Sequence, residues 1–418
     1  MASKNNIPNP FITSISIPEK LFCGRNEETR QILDLLENGN NVVLKSKRRI
    51  GKSALITHIL AQREIQKKYN TFYVDIYGTK NADDFSLLFQ QTLLAEKWMS
   101  KTKLKESFST MLKGLRLSLG TYNSLTGEYS LPSIGLSPNE IPRIPLPELF
   151  EAMENSDKPC IAVFDEFQQI QYYPENFAAT IRSYIQRLNN VHFIFSGSSK
   201  HMLAIMFNDY GQPFYKSARS VDLDALPLDT YTSFCKKIFA ENKKEITEDA
   251  VRYVYELFSG ETLLMQQTMN DVFSKTPAKG TADKQACTDS VISLLRTKDS
   301  DYKDILQRLD NIKERNTLFY IAYQGVAEKP TATETIRRFR LQGPAQVQNA
   351  LKNLGEENRD LIERISRAQY VIKDRLFELW LAERMGILQY KLENASFRYS
   401  QQKNIESQLP ALDIKSKK

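Results

Sequence analysis

Short, mainly apolar runs alternate with stretches of helical apolar spacing over the first 228 residues of the chain. Runs of this kind are typical of strands that are buried on both faces of a parallel sheet. Five such strands are predicted, at residues 42–44, 71–77, 160–165, 190–196 and 220–227. Strands that alternate with helices indicate an α/β fold with a parallel sheet.

The pattern changes at about residue 229, where the strands stop and the helical spacing continues. Three helices are predicted there, at residues 230–241, 247–258 and 262–275. Beyond residue 301 the pattern predicts three more helices, a β-hairpin and a closing helix, at residues 305–325, 333–339, 344–354, 361–373 and 376–383. Three helices followed by a hairpin is the order of a winged helix.

These patterns divide the chain of 418 residues into four parts. Residues 1–228 form the predicted α/β core, which carries an insertion at about residues 100–146. Residues 229–300 form a helical lid, residues 301–390 the winged-helix domain and residues 391–418 a basic tail.

Composition and charge narrow the classes of protein. No apolar run approaches the roughly 18 residues that cross a bilayer, and the N-terminus lacks an apolar signal region. We therefore expect a cytoplasmic protein without a membrane partner. The four cysteines and three histidines lack metal-ligand spacing, which argues against a zinc site. The net charge of +7 comes mainly from residues 301–418, and this mild excess allows contact with nucleic acid without requiring it.

Candidate chemistry begins with the loop that follows the first strand. The loop fits the P-loop pattern G-x-x-x-x-G-K-[ST], with Ser46 in place of the first glycine. Backbone N–H groups of such a loop face a phosphate, and the helix N-terminus adds partial positive charge. Lys52 is expected to reach the β- and γ-phosphates, and the Ser53 hydroxyl to hold Mg²⁺. The predicted nucleotide-binding residues are Ser46, Lys47, Arg48, Arg49, Ile50, Gly51, Lys52, Ser53 and Ala54.

A second motif ends the strand at residues 160–165, where the apolar run leads into Asp165 and Glu166. This is the Walker B pattern, and it places two carboxylates at the carboxyl end of a buried strand, where parallel sheets bind ligands. Asp165 is predicted to hold Mg²⁺ through water. Glu166 is predicted to be the catalytic carboxylate that orients and polarises the attacking water.

Small hydroxyl residues end the next strand along the chain. Ser196 and Ser198 follow the apolar run at residues 190–195 and are the predicted contacts to the γ-phosphate or the attacking water. Taken alone, an ordinary Ser-Gly-Ser turn explains them. Their place directly after the Walker B strand favours the functional interpretation, with Ser198 assigned to catalysis and Ser196 to nucleotide binding.

With these motifs the chain resembles the archaeal-type ATPase family, a branch of the AAA+-like and STAND P-loop ATPases. The resemblance is carried by residues 22–25, 46–53, 163–166, 195–198, 214–216 and 371–380. It implies an ASCE-type parallel sheet, a helical lid, a C-terminal winged helix, and the use of ATP with Mg²⁺. The chain departs from the family in the lid, where Thr262 stands at a position that is often proline.

The resemblance also implies further site residues. Arg219 lies near the position where relatives carry a basic residue after the sensor strand. It would stabilise γ-phosphate charge as an arginine finger, in cis or from a neighbouring subunit, and a surface salt bridge is the alternative. Gly24 and Arg25 are expected near the adenine end of the nucleotide. Arg48 and Arg49 flank the phosphates, face a partner or are simply solvated.

Two functions are compatible with these motifs. The first is an ATPase that acts as a nucleotide-controlled switch through its lid and winged helix, with an unidentified protein partner or a nucleotide-dependent homo-oligomer as its output. The alternative is an ATP-regulated DNA-binding protein that uses the winged helix. Its candidate surface consists of Arg337, Arg338, Arg340, Gln348, Asn349 and Lys352.

A third interpretation is nucleotide binding without hydrolysis. The presence of both Asp165 and Glu166 argues against it. The chain carries no guanine-reading Asn-Lys-x-Asp pattern, which favours ATP over GTP.

Overall fold

The structure is a computed structural model of the chain, which forms two compact units. It describes residues 9–95, 122–123, 128–129, 143–173, 176–309, 311–341, 343–355, 359–366 and 368–396. Most of the predicted insertion and of the predicted basic tail lies outside these ranges. One unit comprises Ile12–Leu226, and the other begins at Pro227 and also includes the N-terminal segment that ends at Phe11.

A five-stranded parallel sheet forms the centre of the first unit. Its strands are β1 (Val42–Ser46), β2 (Asn70–Asp75), β5 (Cys160–Asp165), β6 (Val191–Gly197) and β7 (Arg219–Leu223). A short antiparallel pair, β3 (Tyr122–Asn123) and β4 (Glu128–Tyr129), lies between β2 and β5 in the sequence. The spatial order is β2-β5-β6-β1-β7, with every neighbour parallel. The predicted α/β sheet is confirmed, and the carboxyl ends of β1, β5 and β6 meet at one edge.

Helices cover both faces of this sheet. They are α1 (Asn26–Glu37), α2 (Lys52–Ala61), α3 (Arg63–Lys68), α4 (Ala82–Ala95), α5 (Leu146–Glu154), α6 (Phe177–Ile185) and α7 (Lys200–Asn208), with 3₁₀ turns at Glu19–Leu21 and Phe167–Tyr172. Successive strand residues point to opposite faces. Val163 therefore packs in the aliphatic core with α1 and α2. The adjacent Phe164 packs in an aromatic core with Phe85, Phe89 and Phe193.

Four helices form the lid at the start of the second unit. They are α8 (Leu228–Glu241), α9 (Glu248–Leu257), α10 (Thr262–Lys275) and α11 (Lys284–Thr297), with a short parallel pair β8 (Glu245–Ile246) and β9 (Thr281–Ala282). Helix α11 was not among the predicted helices. Its N-terminus is capped by the Asp283 side chain, which accepts from the Ala286 N–H at 2.9 Å. Cys287, Val291 and Leu295 recur at helical spacing and are buried.

The winged-helix region follows the lid in the same unit. Its helices are α12 (Asp299–Gln307), α13 (Ile312–Gln324), α14 (Thr333–Arg338), α15 (Pro344–Gly355), α16 (Arg375–Arg384) and α17 (Leu388–Glu393). Its sheet has the order β10-β12-β11, from β10 (Ala327–Glu328), β11 (Ile362–Ser366) and β12 (Gln369–Ile372). The winged helix is confirmed. The single helix predicted at residues 305–325 is two helices, because Asn311 caps a new N-terminus by accepting from the Lys313 N–H at 3.0 Å.

Lid and winged helix share buried contacts within this unit. The Arg375 side chain of α16 donates from Nε to the carbonyl oxygen of Leu257, at the end of α9, at 3.0 Å. The same guanidinium forms an ion pair with Glu378, and both side chains are almost completely buried. A buried ion pair that also binds a lid carbonyl fixes α16 against the lid.

The N-terminal segment packs into the lid of this second unit. Phe11 is fully buried among the rings of Phe234, Phe239 and Phe273. The Asn9 amide donates to the Asn270 carbonyl oxygen at 2.7 Å, and the Asn270 amide donates to the Phe11 carbonyl oxygen at 2.7 Å. Among the described residues, no helix is both long enough and apolar enough to span a bilayer.

Candidate nucleotide site

The phosphate loop connects β1 to α2 at the carboxyl edge of the sheet. Arg49 and Gly51 have left-handed backbone conformations, with φ of 65° and 96°. Glycine adopts this conformation at little cost, and Gly51 immediately precedes the first turn of α2. Ser46, at the first position of the motif, is outside the left-handed region, so its Cβ is accommodated without strain. The loop therefore places the N-terminus of α2, with its first-turn N–H groups, at the carboxyl ends of the strands.

Lys52 contributes a buried cation to this edge. Its ammonium group contacts Asp165 and lies 3.1 Å from Oε1 of Glu166. Burial alone would lower the pKa of Lys52, but the negative charges of Asp165 and Glu166 outweigh it and raise the pKa above its usual value. The lysine therefore remains charged at neutral pH.

Asp165 is the centre of a hydrogen-bond cluster. Oδ2 accepts from the Ser53 hydroxyl at 2.9 Å and also from the Tyr73 hydroxyl. Oδ1 accepts from the Ser196 hydroxyl at 2.7 Å. Burial would raise the pKa of Asp165, but the Lys52 ammonium and the hydrogen bonds hold it well below its usual range. The carboxylate therefore stays ionised and keeps a fixed orientation.

Glu166 adopts a left-handed conformation, with φ of 54°, at the turn that follows β5. Its Oε2 accepts from the Ser198 hydroxyl at 2.8 Å and from the Gln168 amide at 2.5 Å. Gly197 permits this arrangement, because a Cβ there would lie 2.0 Å from Gln168 Oε1. Glu166 is thus held from one side by the residue that follows β6 and from the other by its own turn.

The oxygen donors of Ser53 and Asp165 fit a hard divalent cation. Mg²⁺ is commonly held by one or two protein oxygen ligands together with water and substrate phosphates. A hydroxyl and an ionised carboxylate 2.9 Å apart, next to a phosphate loop, supply this donor set.

Arg25 contacts the backbone of the phosphate loop. Gly24 and Arg25 both have left-handed backbones, with φ of 64° and 69°. The buried guanidinium donates to the Ile50 carbonyl oxygen at 3.2 Å and forms an ion pair with Glu28 at 2.7 Å. The structure therefore places this side chain in contact with the loop backbone, and its position near the adenine end of the nucleotide stays a prediction. Elsewhere in the loop, Lys47 and Arg48 are exposed and Arg49 is half-buried.

Arg219 lies away from this cluster. It is the first residue of β7 and pairs with Val42, whereas Leu223 at the other end of β7 pairs with Ser46. A strand of this length spans roughly 13 Å, so Arg219 is at the amino edge of the sheet. Its guanidinium donates to Asn40 at 3.4 Å. This corrects the prediction of an arginine finger in cis, because the parallel register separates Arg219 from the phosphate loop.

Three residues of the site were missed by the sequence analysis. Tyr73 and Gln168 contact Asp165 and Glu166 directly. Asp75 ends β2 opposite Asp165 in the sheet register, and burial together with the charge of Asp165 raises its pKa to about 6. For Tyr73 and Asp75 the available signal was the strand at residues 71–77, whose polar residues recur with a period of two and therefore share one face of the sheet.

The fold and the site can be set beside known proteins. A winged-helix family model, described as "Probable winged helix domain", matches residues 300–383. The Walker-type ATPase paby2304 of Pyrococcus abyssi is 19% identical, with a TM-score of 0.59 over 89% of this chain and 99% of that chain. The ORC2 protein of Aeropyrum pernix, in ADPNP–ADP complexes, is 13% identical, with a TM-score of 0.54 over 92% of this chain and 97% of that chain. No match was found among curated proteins.

A second family model covers more than half of the chain and includes every strand of the parallel sheet. It is described as "ATPase domain predominantly from Archaea" and matches residues 22–267. The match contains the phosphate loop, the Asp165–Glu166 pair and most of the lid. The chain therefore belongs to the family of ATPase domains found predominantly in Archaea, joined to a C-terminal winged helix.

Proposed function

We propose that this protein is a Mg²⁺-dependent, cytoplasmic ATP hydrolase whose nucleotide state acts as a switch on its lid and winged helix. The observation that carries the proposal is the cluster at the carboxyl edge of the sheet, in which Lys52 and Asp165 are buried. There Lys52, Ser53, Asp165 and Glu166 are joined by direct hydrogen bonds and ion pairs. These residue types, at the end of a parallel sheet, suit phosphoanhydride hydrolysis.

Each residue has a distinct role in the proposed reaction. The loop N–H groups and the Lys52 ammonium would bind the phosphates. Ser53 and Asp165 would hold Mg²⁺, which neutralises charge on phosphate oxygens when bound. Glu166 would orient and polarise the attacking water. Ser198 would position Glu166, to which it donates at 2.8 Å.

The proposed switch depends on the ion pairs that Lys52 forms with Asp165 and Glu166. In the described arrangement its ammonium is shared between Asp165 and Glu166. A triphosphate would compete for this ammonium, so that binding would separate Lys52 from Glu166 and free Oε1 for water. Lid and winged helix share the Arg375–Leu257 hydrogen bond, and we propose that they respond together and present a changed surface to a protein partner.

An oligomer would give Arg219 a role. This residue is exposed at the amino edge of the sheet, away from the site of its own chain. An arginine-finger function would therefore require a second copy of the chain, with nucleotide-dependent assembly as its condition.

The experiment compares ATP binding and hydrolysis for the wild type, Lys52→Ala and Glu166→Gln. Lys52→Ala should lose binding, since it removes the phosphate-binding cation. Glu166→Gln should bind ATP and hydrolyse it about 10²–10³-fold more slowly, in the range of lost transition-state contacts. Matched controls are Lys68→Ala and Glu37→Gln, which break an exposed ion pair of the same unit. Hydrolysis by Glu166→Gln at the wild-type rate would refute the assignment.

DNA binding by the winged helix is the second candidate. Helix α15 leaves Gln348, Asn349 and Lys352 exposed, and Arg337 and Arg340 are exposed nearby in the sequence. Amide and basic side chains of this kind can bind base edges and phosphates.

Fluorescence anisotropy measures binding of duplex DNA and tests this candidate. The measurements cover 50 to 200 mM salt, about the range over which phosphate contacts respond strongly. DNA binding predicts steep salt dependence that weakens in Arg337→Ala/Arg340→Ala. Arg252→Ala, on the exposed face of α9 in the lid, serves as the control. Absence of measurable binding at low salt, with ATP present, would leave the protein switch as the only function proposed.

A further inference from the structure

The Tyr73 hydroxyl contacts the nucleotide site, although Tyr73 belongs to none of the sequence motifs. Its hydroxyl donates to Oδ2 of Asp165, the same oxygen atom that accepts from the Ser53 hydroxyl at 2.9 Å. Two donors from different elements, β2 and α2, therefore meet on the oxygen atom nearest the predicted metal ligand Ser53.

The sheet register explains how Tyr73 reaches this atom. Tyr73 pairs with Val163, and Asp165 is two residues farther along β5. Residues two apart on a strand share a face, and two residues span roughly 6.6 Å. This offset matches the length of a tyrosine side chain from Cα to the hydroxyl oxygen. Phenylalanine would fill the same space and leave Asp165 without this donor.

The ring of Tyr73 is held in place by packing. It contacts the aliphatic core that includes Ile56 and Ile59 of α2 and Val163 of β5. An ionised carboxylate can only accept hydrogen bonds, so the phenol is the donor in its contact with Asp165. A donor on a rigid strand and a packed ring restricts the rotation of the Asp165 carboxylate.

We infer that Tyr73 is a positioning residue for the Mg²⁺ part of the nucleotide site. This inference rests on the proposed function, because it assigns Asp165 and Ser53 to the metal. Tyr73 fixes the plane of the Asp165 carboxylate, which leaves Oδ2 directed at the Ser53 hydroxyl while Lys52 turns to the phosphates. Partners that orient metal ligands typically change metal affinity 10–100-fold when removed.

The test measures binding of a fluorescent, non-hydrolysable ATP analogue to the full chain, first in EDTA and then across a Mg²⁺ titration. Tyr73→Phe should leave the affinity in EDTA unchanged. The Mg²⁺ concentration that gives half-maximal tightening should rise about ten-fold, at the lower end of the range for partners of metal ligands. A purely structural role would instead weaken binding equally with and without Mg²⁺.

Tyr69→Phe is the matched control, since Tyr69 packs on the same aliphatic core just before β2. Its Mg²⁺ midpoint should equal that of the wild type. A Tyr73→Phe midpoint within two-fold of wild type, or an equal loss of binding in EDTA, would overturn the inference while the proposed function stands. A wild type that binds the analogue identically in EDTA and in Mg²⁺ would overturn the Mg²⁺ dependence in the proposed function, and the inference with it.

Discussion

Side chains at the carboxyl edge of the sheet are held by charge compensation. Asp165 is an ionised carboxylate with almost no exposure, a state that is costly unless it is paired and hydrogen-bonded. Lys52 supplies the opposite charge, while Ser53, Ser196 and Tyr73 supply donors. The residues proposed for catalysis are therefore also one another's electrostatic support.

The Asp75 carboxylate lies at the same edge but lacks enough compensating charge, because burial and the charge of Asp165 raise its pKa. Its pKa of about 6 in the folded protein exceeds the ordinary value of 3.8. Between these pH values the folded chain retains a proton that the unfolded chain has lost, so stability falls as pH rises through this window. Asp75→Asn removes the titration. At pH 7.5 the thermal midpoint of this variant should exceed that of the wild type, because its free energy of unfolding is higher by up to about 3 kcal/mol.

The difference between Asp75→Asn and wild type should shrink at pH 4.5 and stay constant above about pH 7, because a group with this pKa is then fully ionised. Thermal unfolding monitored by circular dichroism at each pH measures it. Asp83→Asn, which alters an exposed carboxylate of the same unit, provides the control. A difference that does not change with pH would show that Asp75 titrates normally.

Sequence motifs anticipated the site residues at or just beyond the carboxyl ends of strands. Lys52, Asp165 and Ser196 come together because their strands are parallel neighbours whose carboxyl ends share an edge. Tyr73 and Gln168 could not be found in this way. Tyr73 reaches across two residues of register, and the position of Gln168 depends on the turn after β5.

At the scale of elements, the turn after β5 and the end of β6 fit together without spare room. Gly197→Ala would place a Cβ 2.0 Å from Gln168 Oε1. Gln168 would have to move, and Glu166 would lose a hydrogen bond of 2.5 Å. We expect hydrolysis to fall about ten-fold or more, the loss expected when a catalytic group is misplaced. ATP binding through Lys52 should be retained.

Gly78→Ala is the matched control for this substitution, because a Cβ at Gly78 meets no atom within 4 Å. Steady-state hydrolysis and equilibrium binding should be measured on both variants. If Gly197→Ala hydrolyses ATP as fast as Gly78→Ala, the position of Gln168 is not needed for catalysis.

The parallel sheet could be predicted from apolar runs, whereas several elements of the second unit could not. Strands β8, β9 and β10 are two residues long and carry no periodic pattern. The break between α12 and α13 depends on the cap at Asn311, inside an otherwise continuous helical pattern. Pairings this short are set by tertiary neighbours, so a local pattern does not reveal them. The Asn311 cap is a local contact, but the spacing of apolar residues does not register it.

At the scale of the whole molecule, the second unit combines lid and winged helix through buried charge. Arg375→Met would keep an apolar stem but remove the guanidinium, which leaves Glu378 buried without this partner and removes the bond to Leu257. Breaking a buried pair from one side costs about 3–5 kcal/mol. We expect the thermal midpoint of Arg375→Met to fall by several degrees.

Arg252→Met is the matched control for Arg375→Met. The ion pair of Arg252 with Glu248 is exposed and should contribute less than about 1 kcal/mol to stability. Differential scanning calorimetry on both variants measures the change. Equal midpoints for the two variants would show that the Arg375 ion pair does not hold the lid to the winged helix.

The packing of Phe11 constrains the order in which the chain can finish folding during synthesis. Asn9 and Asn270, which are bonded, lie 261 residues apart. At a translation rate of roughly 5–20 residues per second, this separation is a delay of roughly 13–50 s. Throughout that interval the Phe11 ring has been synthesised, but the aromatic pocket that buries it is not yet complete. The core of the lid is therefore completed by a segment that is synthesised 261 residues before its partner in the lid.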